Sequence, residues 1–100
     1  MKGYVIATVR VEDAQGYEPY RQRAQEIIAG HGGRYLVRGG RVDVREGTLE
    51  RDRVIVLEFP TMEQARAFYD SDDYQAIVPI RQRNAEAQLF LVEGVAEDAG

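Results

Sequence analysis

Glu58 and His31 are the two residues whose type and setting are suited to acid–base chemistry. Glu58 interrupts the apolar run from Val54 to Phe59, and a carboxylate in such a strand needs a cationic partner or a raised pKa. His31 is the only histidine, the residue type that titrates near neutrality without help. Both are therefore candidate catalytic acids or bases. The alternatives are a structural ion pair for Glu58 and a helix-capping or exposed role for His31.

Glu58 is expected to contact an arginine, because an isolated charge in a largely apolar strand is costly. The predicted strands carry arginine at positions 10, 34, 38 and 53. Arg10, Arg38 and Arg53 are the favoured partners.

Arg38, Tyr69, Tyr74 and Arg81 form a candidate binding site for a small organic anion. The two tyrosines flank the point where one predicted helix ends and the next begins, and helix ends leave backbone groups free for ligand contact. Arg38 precedes a Gly-Gly bend and Arg81 follows Pro79. Guanidinium forks and phenol rings suit a planar carboxylate. The alternative is that the tyrosines are core residues and the arginines are solvated.

Metal and phosphate-loop chemistry find no basis in this sequence. It has no cysteine and a single histidine, too few for a zinc ligand set. The Gly-Gly pairs at 32–33 and 39–40 lack the spacing and the Lys-Ser/Thr of a phosphate loop. We therefore expect no cofactor and no metal.

The size and charge of the chain restrict the class of protein. One hundred residues make one domain, which we place at residues 1–95, followed by an acidic tail at 96–100 that is expected to fray. A net charge of -4 disfavours nucleic acid. No apolar run reaches the ~18 residues of a membrane span, and charged residues cut short the apolar run of the N-terminus, which resembles a strand rather than a signal peptide. A cytoplasmic location is the default expectation.

The first half of the sequence predicts strand, helix, strand. Gly3 to Val11 is a strand apolar on both faces, which is typical of a central strand. Asp13 is a plausible helix N-cap, although Pro19 predicts that regular helix begins a few residues later. The helix ends at the glycines from Gly30 onward. Arg34 to Arg38 is a short strand.

The second half predicts strand, helix, short helix, strand. Gly39-Gly40 suggests a bulge or bend, and the alternation from Arg41 to Glu46 predicts a hairpin that leads into the strand at Arg53. After Pro60, Thr61 and Gln64 form a capping-box pattern. A further helix is capped by Ser71 or Asp72 and should be kinked or split at Pro79. Leu89 to Val92 is the last strand.

This order predicts an α+β fold with an antiparallel four-stranded sheet. Right-handed crossovers place the first and third strands in the centre, in the order 4-1-3-2. The helices cover one face. The other brings Ile6 and Thr8 together with Val54 and Val56, and an apolar face of this kind needs a partner, for which a second copy of the sheet is the simplest.

Four stretches together resemble the domain of unknown function 1330 family: KGYVIATV, GGRYLVRGG, RVIVLEFPTMEQARAFYDSDDYQ and PIRQRNAEAQLFLVEG. The resemblance covers Lys2 to about Val95. It implies a ferredoxin-like βαββαβ protomer and a homodimer whose two sheets pack into a dimeric α/β barrel. It implies little about chemistry, because relatives in that superfamily include cofactor-free monooxygenases, isomerases and ligand-sensing domains.

The sequence therefore favours a small homodimeric protein that binds a small anionic organic ligand in a cleft of each protomer. One alternative is a cofactor-free enzyme for proton transfer or oxygenation, with Glu58 or His31 as the base and Arg38 or Arg81 orienting a carboxylate. Another is a purely structural dimer, which predicts no pocket at all.

Overall fold

The computed structural model describes residues 1–96, which fold as three helices on one four-stranded sheet. The acidic tail predicted at residues 96–100 lies, beyond Ala96, outside the described residues. The elements are β1 (Gly3–Val11), α1 (Ala14–Gly30), β2 (Arg34–Arg38), β3 (Arg53–Phe59), α2 (Met62–Asp70), α3 (Asp72–Asn84) and β4 (Ala85–Glu93).

The sheet has the order β2-β3-β1-β4 with every neighbouring pair antiparallel. The predicted order is therefore confirmed, with β1 and β3 in the centre. Side chains alternate between the two faces of a strand, so Val5, Ala7 and Val9 are buried beneath the helices. On the opposite, open face Ile6 lies across from Val56 and Thr8 across from Val54, as the sequence predicted.

Helix α1 begins at Ala14, immediately after its N-cap Asp13, whose side chain accepts a hydrogen bond from the Gly16 N–H. The later start predicted from Pro19 is wrong. Pro19 lies within the helix on its exposed side and removes only the N–H that would bond to the preceding turn. The buried face of the helix, which includes Tyr17 and Tyr20 on either side of the proline, outweighs that loss.

Helix α3 runs without a break from Asp72 to Asn84, so the split predicted at Pro79 is also wrong. Ser71 accepts a hydrogen bond from the Tyr74 N–H and begins the helix, as predicted. Its far end is held by Asn84, whose side-chain amide donates to the carbonyls of Ile80 and of Gly16 in α1.

Residues 39–52 form an exposed loop, and the strand predicted from Arg41 to Glu46 does not form. Val42 and Val44 alternate with charged residues but both are exposed. Because no second layer covers them, the alternation buries no apolar area and nothing fixes a strand there.

Strand β2 contains a bulge at Leu36, three residues before the Gly-Gly pair where the sequence suggested a bulge or bend. Arg34 lies opposite Glu58, Val37 opposite Val56 and Arg38 opposite Ile55. The extra residue at the bulge shifts the alternation, so Arg34 faces the open side of the sheet and Arg38 faces the helices. Gly39 then leaves the strand with a φ of 66°.

The end of α1 is closed by two glycines with different roles. Gly32 has a φ of 85° and its N–H donates to the Ala29 carbonyl, while the Gly33 N–H donates to the Ile28 carbonyl. This pair of bonds is a Schellman motif. A Cβ added at Gly33 would lie 2.5 Å from the ring of Phe59, which is fully buried, so the turn lets the chain pass directly over that ring.

We expect Gly33→Ala to lower the free energy of unfolding by about 1–3 kcal/mol, because the added methyl group overpacks the core against Phe59. Gly30→Ala is the matched control: nothing lies within 4 Å of a Cβ at this position, so a helical alanine there should raise stability by up to about 1 kcal/mol. Urea unfolding of the two variants measures both. Equal effects at the two positions would show that the close approach to Phe59 has no energetic weight.

Candidate functional site

A cavity lies between the helices and the covered face of the sheet. Its empty volume is about 650 Å³ including the mouth, of which about 40 Å³ can hold the centres of water-sized molecules. The enclosed part therefore has room for roughly three waters or a small ligand. Its walls are mainly aliphatic and aromatic, and its polar lining residues are Tyr17, Tyr20, Arg21, Gln25, Tyr35, Arg38, Arg53, Tyr74 and Arg81.

Three alanines create much of this space. Ala7 and Ala87 line the cavity from the sheet, on strands β1 and β4, and Ala24 faces them from α1. Larger aliphatic residues at these positions would bring helix and sheet side chains into contact, as core packing normally requires. The cavity is thus encoded by small residues within an otherwise well-filled interior.

Arg81 and a pair of phenols form the helix side of the cavity, which we call the helix group: Arg81, Tyr20 and Tyr74. Arg81 is only 8% exposed, and its Nε has no hydrogen-bond partner. Its guanidinium carbon lies 5.8 Å from the centre of the Tyr20 ring. The hydroxyls of Tyr20 and Tyr74 are 2.6 Å apart and share one hydrogen bond, which leaves the second hydroxyl hydrogen free to donate.

Arg38 and Arg53 form the strand side of the cavity, which we call the strand group. Arg38 stacks on Tyr35 at 3.7 Å from the ring centre and donates to the Gln25 side chain at 3.3 Å. The Arg53 guanidinium lies against the backbone of Gly39, where any side chain would collide with it. Arg38 is on β2 and Arg53 is on the neighbouring strand β3. Gly39 directly follows Arg38, so both arginines lie beside the same turn. Like Arg81, Arg53 has a buried Nε without a partner.

Of the residues that the structure describes, 1–96, four arginines and no aspartate or glutamate line the cavity. Arg21 is neutralised by two hydrogen bonds to the Glu18 carboxylate. Among residues 1–96, Arg38, Arg53 and Arg81 make no salt bridge. Arginine stays protonated in proteins, so the cavity holds an excess of three positive charges.

Tyr17 and Tyr20 remain neutral hydrogen-bond donors. Burial raises the pKa of Tyr20 far above that of a free tyrosine, and Tyr74 adds to the shift. Burial also raises the pKa of Tyr17, although the nearby charges of Arg53 and Arg81 work against it. These groups can therefore donate to an oxyanion, but they do not supply a base near neutral pH.

The structure brings together three of the four predicted ligand-binding residues: Arg38, Tyr74 and Arg81 all line the cavity. Tyr69 is not part of the lining. Its ring packs against Tyr74 with the ring centres 5.7 Å apart, so it supports the wall from behind.

Glu58 lies on the open face of the sheet, outside the cavity. It contacts an arginine, but the predicted partners Arg10, Arg38 and Arg53 are wrong: Arg34 donates to its carboxylate at 3.0 Å, and Lys2 and the Tyr4 hydroxyl complete the cluster. The hydrogen bond from Arg34, with help from Tyr4, lowers the pKa of Glu58. A carboxylate held ionised in this way is a weak general base, and the catalytic role predicted for Glu58 gains no support here.

His31 also lies outside the cavity, at the C-cap of α1. Its Nε2 is 3.4 Å from the Asp73 carboxylate, and its ring meets the edge of Phe68. The hydrogen bond from Ser71, and then that from His31, lowers the pKa of Asp73. This geometry matches the capping alternative, in which an imidazole at the end of one helix meets an acid at the start of another.

The sequence reasoning missed Arg53 as a cavity residue, and the signal was available. Arg53 and Glu58 are five positions apart on one strand, so they face opposite sides of the sheet. Arg53 shares its phase with Ile55, Leu57 and Phe59, and therefore faces the helices. The role of the alanines carried no such signal, because a small residue in a sequence does not reveal whether its neighbours close the gap.

Neither a metal centre nor a membrane-spanning helix is found among residues 1–96. No group of three or more histidine, cysteine, aspartate or glutamate side chains in this range comes together in a way that could hold a metal ion. Within the same range, the helices are all too short or too polar to cross a membrane.

The element order and sheet order define a ferredoxin-like α/β protein. The family model of the domain of unknown function DUF1330 matches residues 2–95, and the chain belongs to that family, as its resemblance indicated. A comparison with curated proteins finds no match.

Solved structures share the fold at low sequence identity. A protein of unknown function from Rhodopseudomonas palustris is 17% identical, with 95% of this chain and 83% of that chain covered and a TM-score of 0.74. SnoaB, a cofactor-independent oxygenase from Streptomyces nogalater, is 12% identical, with 95% and 94% covered and a TM-score of 0.62. A dimeric ferredoxin-like protein of unknown function from Jannaschia sp. CCS1 is 14% identical, with 94% and 100% covered and a TM-score of 0.63.

We expect Arg81→Met to raise the free energy of unfolding of the ligand-free protein by about 1 kcal/mol or more. The substitution keeps most of the side-chain volume and removes a buried, unpaired charge, which outweighs the lost contact with the Tyr20 ring. Arg83→Met, at an exposed position of the same helix, should change stability little. Urea unfolding compares the two, and a marked destabilisation by Arg81→Met would mean that the guanidinium is already well compensated.

Proposed function

We propose that this protein binds a small organic anion in the cavity between the helices and the sheet. The observation that carries the proposal is the Arg81 guanidinium, which is buried without a counter-charge in a cavity lined by further arginines. A buried charge of this kind is unfavourable unless it is paired, and an anionic ligand would supply the missing partner. Guanidinium groups match the geometry of carboxylates through paired hydrogen bonds.

The proposal is for binding rather than for base-catalysed turnover. Guanidinium and phenol groups surround the cavity with hydrogen-bond donors, while the part of the chain described here lines it with no carboxylate and no imidazole. Such a site would hold an acceptor-rich ligand firmly and would leave it no residue to take its proton. The aliphatic and aromatic walls favour an organic anion over an inorganic one.

A thermal-shift screen of small aliphatic and aromatic carboxylates tests this proposal. At a ligand concentration of 100 Kd, binding adds about 2.7 kcal/mol to the stability of the folded state, so the melting temperature should rise with ligand concentration. Ala24→Leu should abolish the shift, because the larger side chain fills the cavity while every arginine stays in place. Ala29→Leu, at an exposed position of the same helix, should leave the shift intact.

If Ala24→Leu folds and still shows the full shift, the ligand binds elsewhere and the proposal is wrong. If no carboxylate shifts the melting temperature of the wild-type protein, the proposal fails in the same way. A circular dichroism spectrum that matches the wild type establishes folding of the variant.

We further propose that the protein is a homodimer joined through the open face of the sheet. Ile6, Val54 and Val56 lie in the middle of that face and Phe90 and Val92 along β4, where the latter two are 42% and 40% exposed. An apolar strip of this kind on a sheet that lacks a second layer favours an interface. The dimeric state of the Jannaschia protein, which shares the fold, supports the same assembly.

We expect Val56→Asp to dissociate the dimer and Val56→Ala to weaken it much less, because an unpaired charge in an apolar interface costs more than lost apolar area. Ala67→Asp, at an exposed position of α2, is the matched control and should keep the dimer. Sedimentation velocity at micromolar concentration measures the assembly. A wild-type monomer, or a dimer insensitive to Val56→Asp, contradicts this interface.

A further inference from the structure

The cations of the cavity fall into two groups on opposite walls. The helix group carries Arg81 on α3, and the strand group carries Arg38 and Arg53 on β2 and β3. Each group contains one buried guanidinium Nε without a hydrogen-bond partner, at Arg81 and at Arg53. A third such nitrogen, Arg51 Nε, lies outside the cavity lining, and its guanidinium pairs with Glu86.

The two groups lie on different layers of the fold, one on a helix and one on strands. The lining also includes the apolar residues Ala7, Ile55 and Ala24, and the Tyr17 phenol lies near the charges of both Arg53 and Arg81. A ligand with one charged end would satisfy one group and leave the other buried Nε unpaired, and an unpaired buried donor is unfavourable.

We infer that the ligand is a small dianion, a dicarboxylate with a short apolar spacer, whose two anionic ends contact the helix group and the strand group. This inference rests on the proposed function and specifies the ligand class for the same cavity. The uncompensated charges of Arg38, Arg53 and Arg81 match two carboxylates better than one. The alanines leave room for a short hydrocarbon spacer among the aliphatic side chains of the sheet.

The two groups of cations differ in how deeply they are buried. Arg81 is almost fully enclosed, while Arg38 is exposed at the mouth and is held in place by Tyr35 and Gln25. One carboxylate of the ligand would therefore enter first and reach Arg81, and the second would stay near the mouth, where Arg38 and Arg53 contact it together.

Isothermal titration with glutarate, adipate and their monomethyl esters tests this inference at constant ionic strength. Each half-ester keeps the length of the diacid and loses one charge. We expect at least one diacid to bind at least about tenfold tighter than its half-ester, which is the smallest effect of one added charge-assisted hydrogen bond. Arg53→Met should remove this preference. It should lower the affinity for the half-ester by at most about twofold, because the half-ester loses only one of the two orientations in which its single carboxylate contacts an arginine group.

The variants separate this inference from the proposed function. Arg81→Met should weaken both the diacid and the half-ester, and Arg66→Met, on the exposed side of α2, should change neither. Equal affinities of diacid and half-ester in the wild-type protein overturn the dianion inference and leave anion binding intact. Absence of binding by all four compounds overturns the dianion inference. The thermal-shift screen of carboxylates then decides whether the proposed function is also wrong.

Discussion

The guanidinium of Arg81 is the charge on which the chemistry of this protein depends. It lies in the interior of a small domain, with phenol rings beside it and, among residues 1–96, no carboxylate in salt-bridge contact. An unpaired charge in such a place lowers the stability of the ligand-free fold, and a domain of this size has only a modest core to offset the loss. Binding of an anion in the cavity would explain why the phenol pair lies beside Arg81 and why small residues keep the space between helices and sheet open.

The sheet separates two systems of charges that would otherwise neutralise each other. On its open face Glu58 is bonded to Arg34, Lys2 and Tyr4, so those cations are compensated. On its covered face the arginines face a cavity that the described part of the chain lines without aspartate or glutamate. Because alternate residues of a strand point to opposite sides, a carboxylate in β3 can lie within a few residues of Arg53 along the chain and still contribute nothing to its neutralisation.

The fold was largely predictable from the sequence, whereas the site was predictable only in outline. Periodicity and cap residues such as Asp13, Thr61 and Ser71 act locally, and they indicated the element order and the sheet order. The prolines misled, because the effect of Pro19 and Pro79 depends on how well the rest of each helix is packed. Arg38, Tyr74 and Arg81 were placed together from turn positions and residue type. The face of Arg53 follows from strand phase, which the sequence reasoning did not apply to this residue, and the space left by three alanines depends on tertiary packing.

The bulge at Leu36 determines the face to which Arg38 belongs. If β2 paired in regular register without the bulge, Arg38 would face the same side of the sheet as Arg34 and would point away from the cavity. Deletion of Leu36 would remove the bulge and leave Arg38 opposite Ile55, on the covered face. Pairing of the complete strand in regular register would instead bring Arg38 opposite Val54 and remove one positive charge from the cavity without any amino-acid replacement. The pairing register of this strand therefore decides how many cations the cavity holds, which the residue types alone do not reveal.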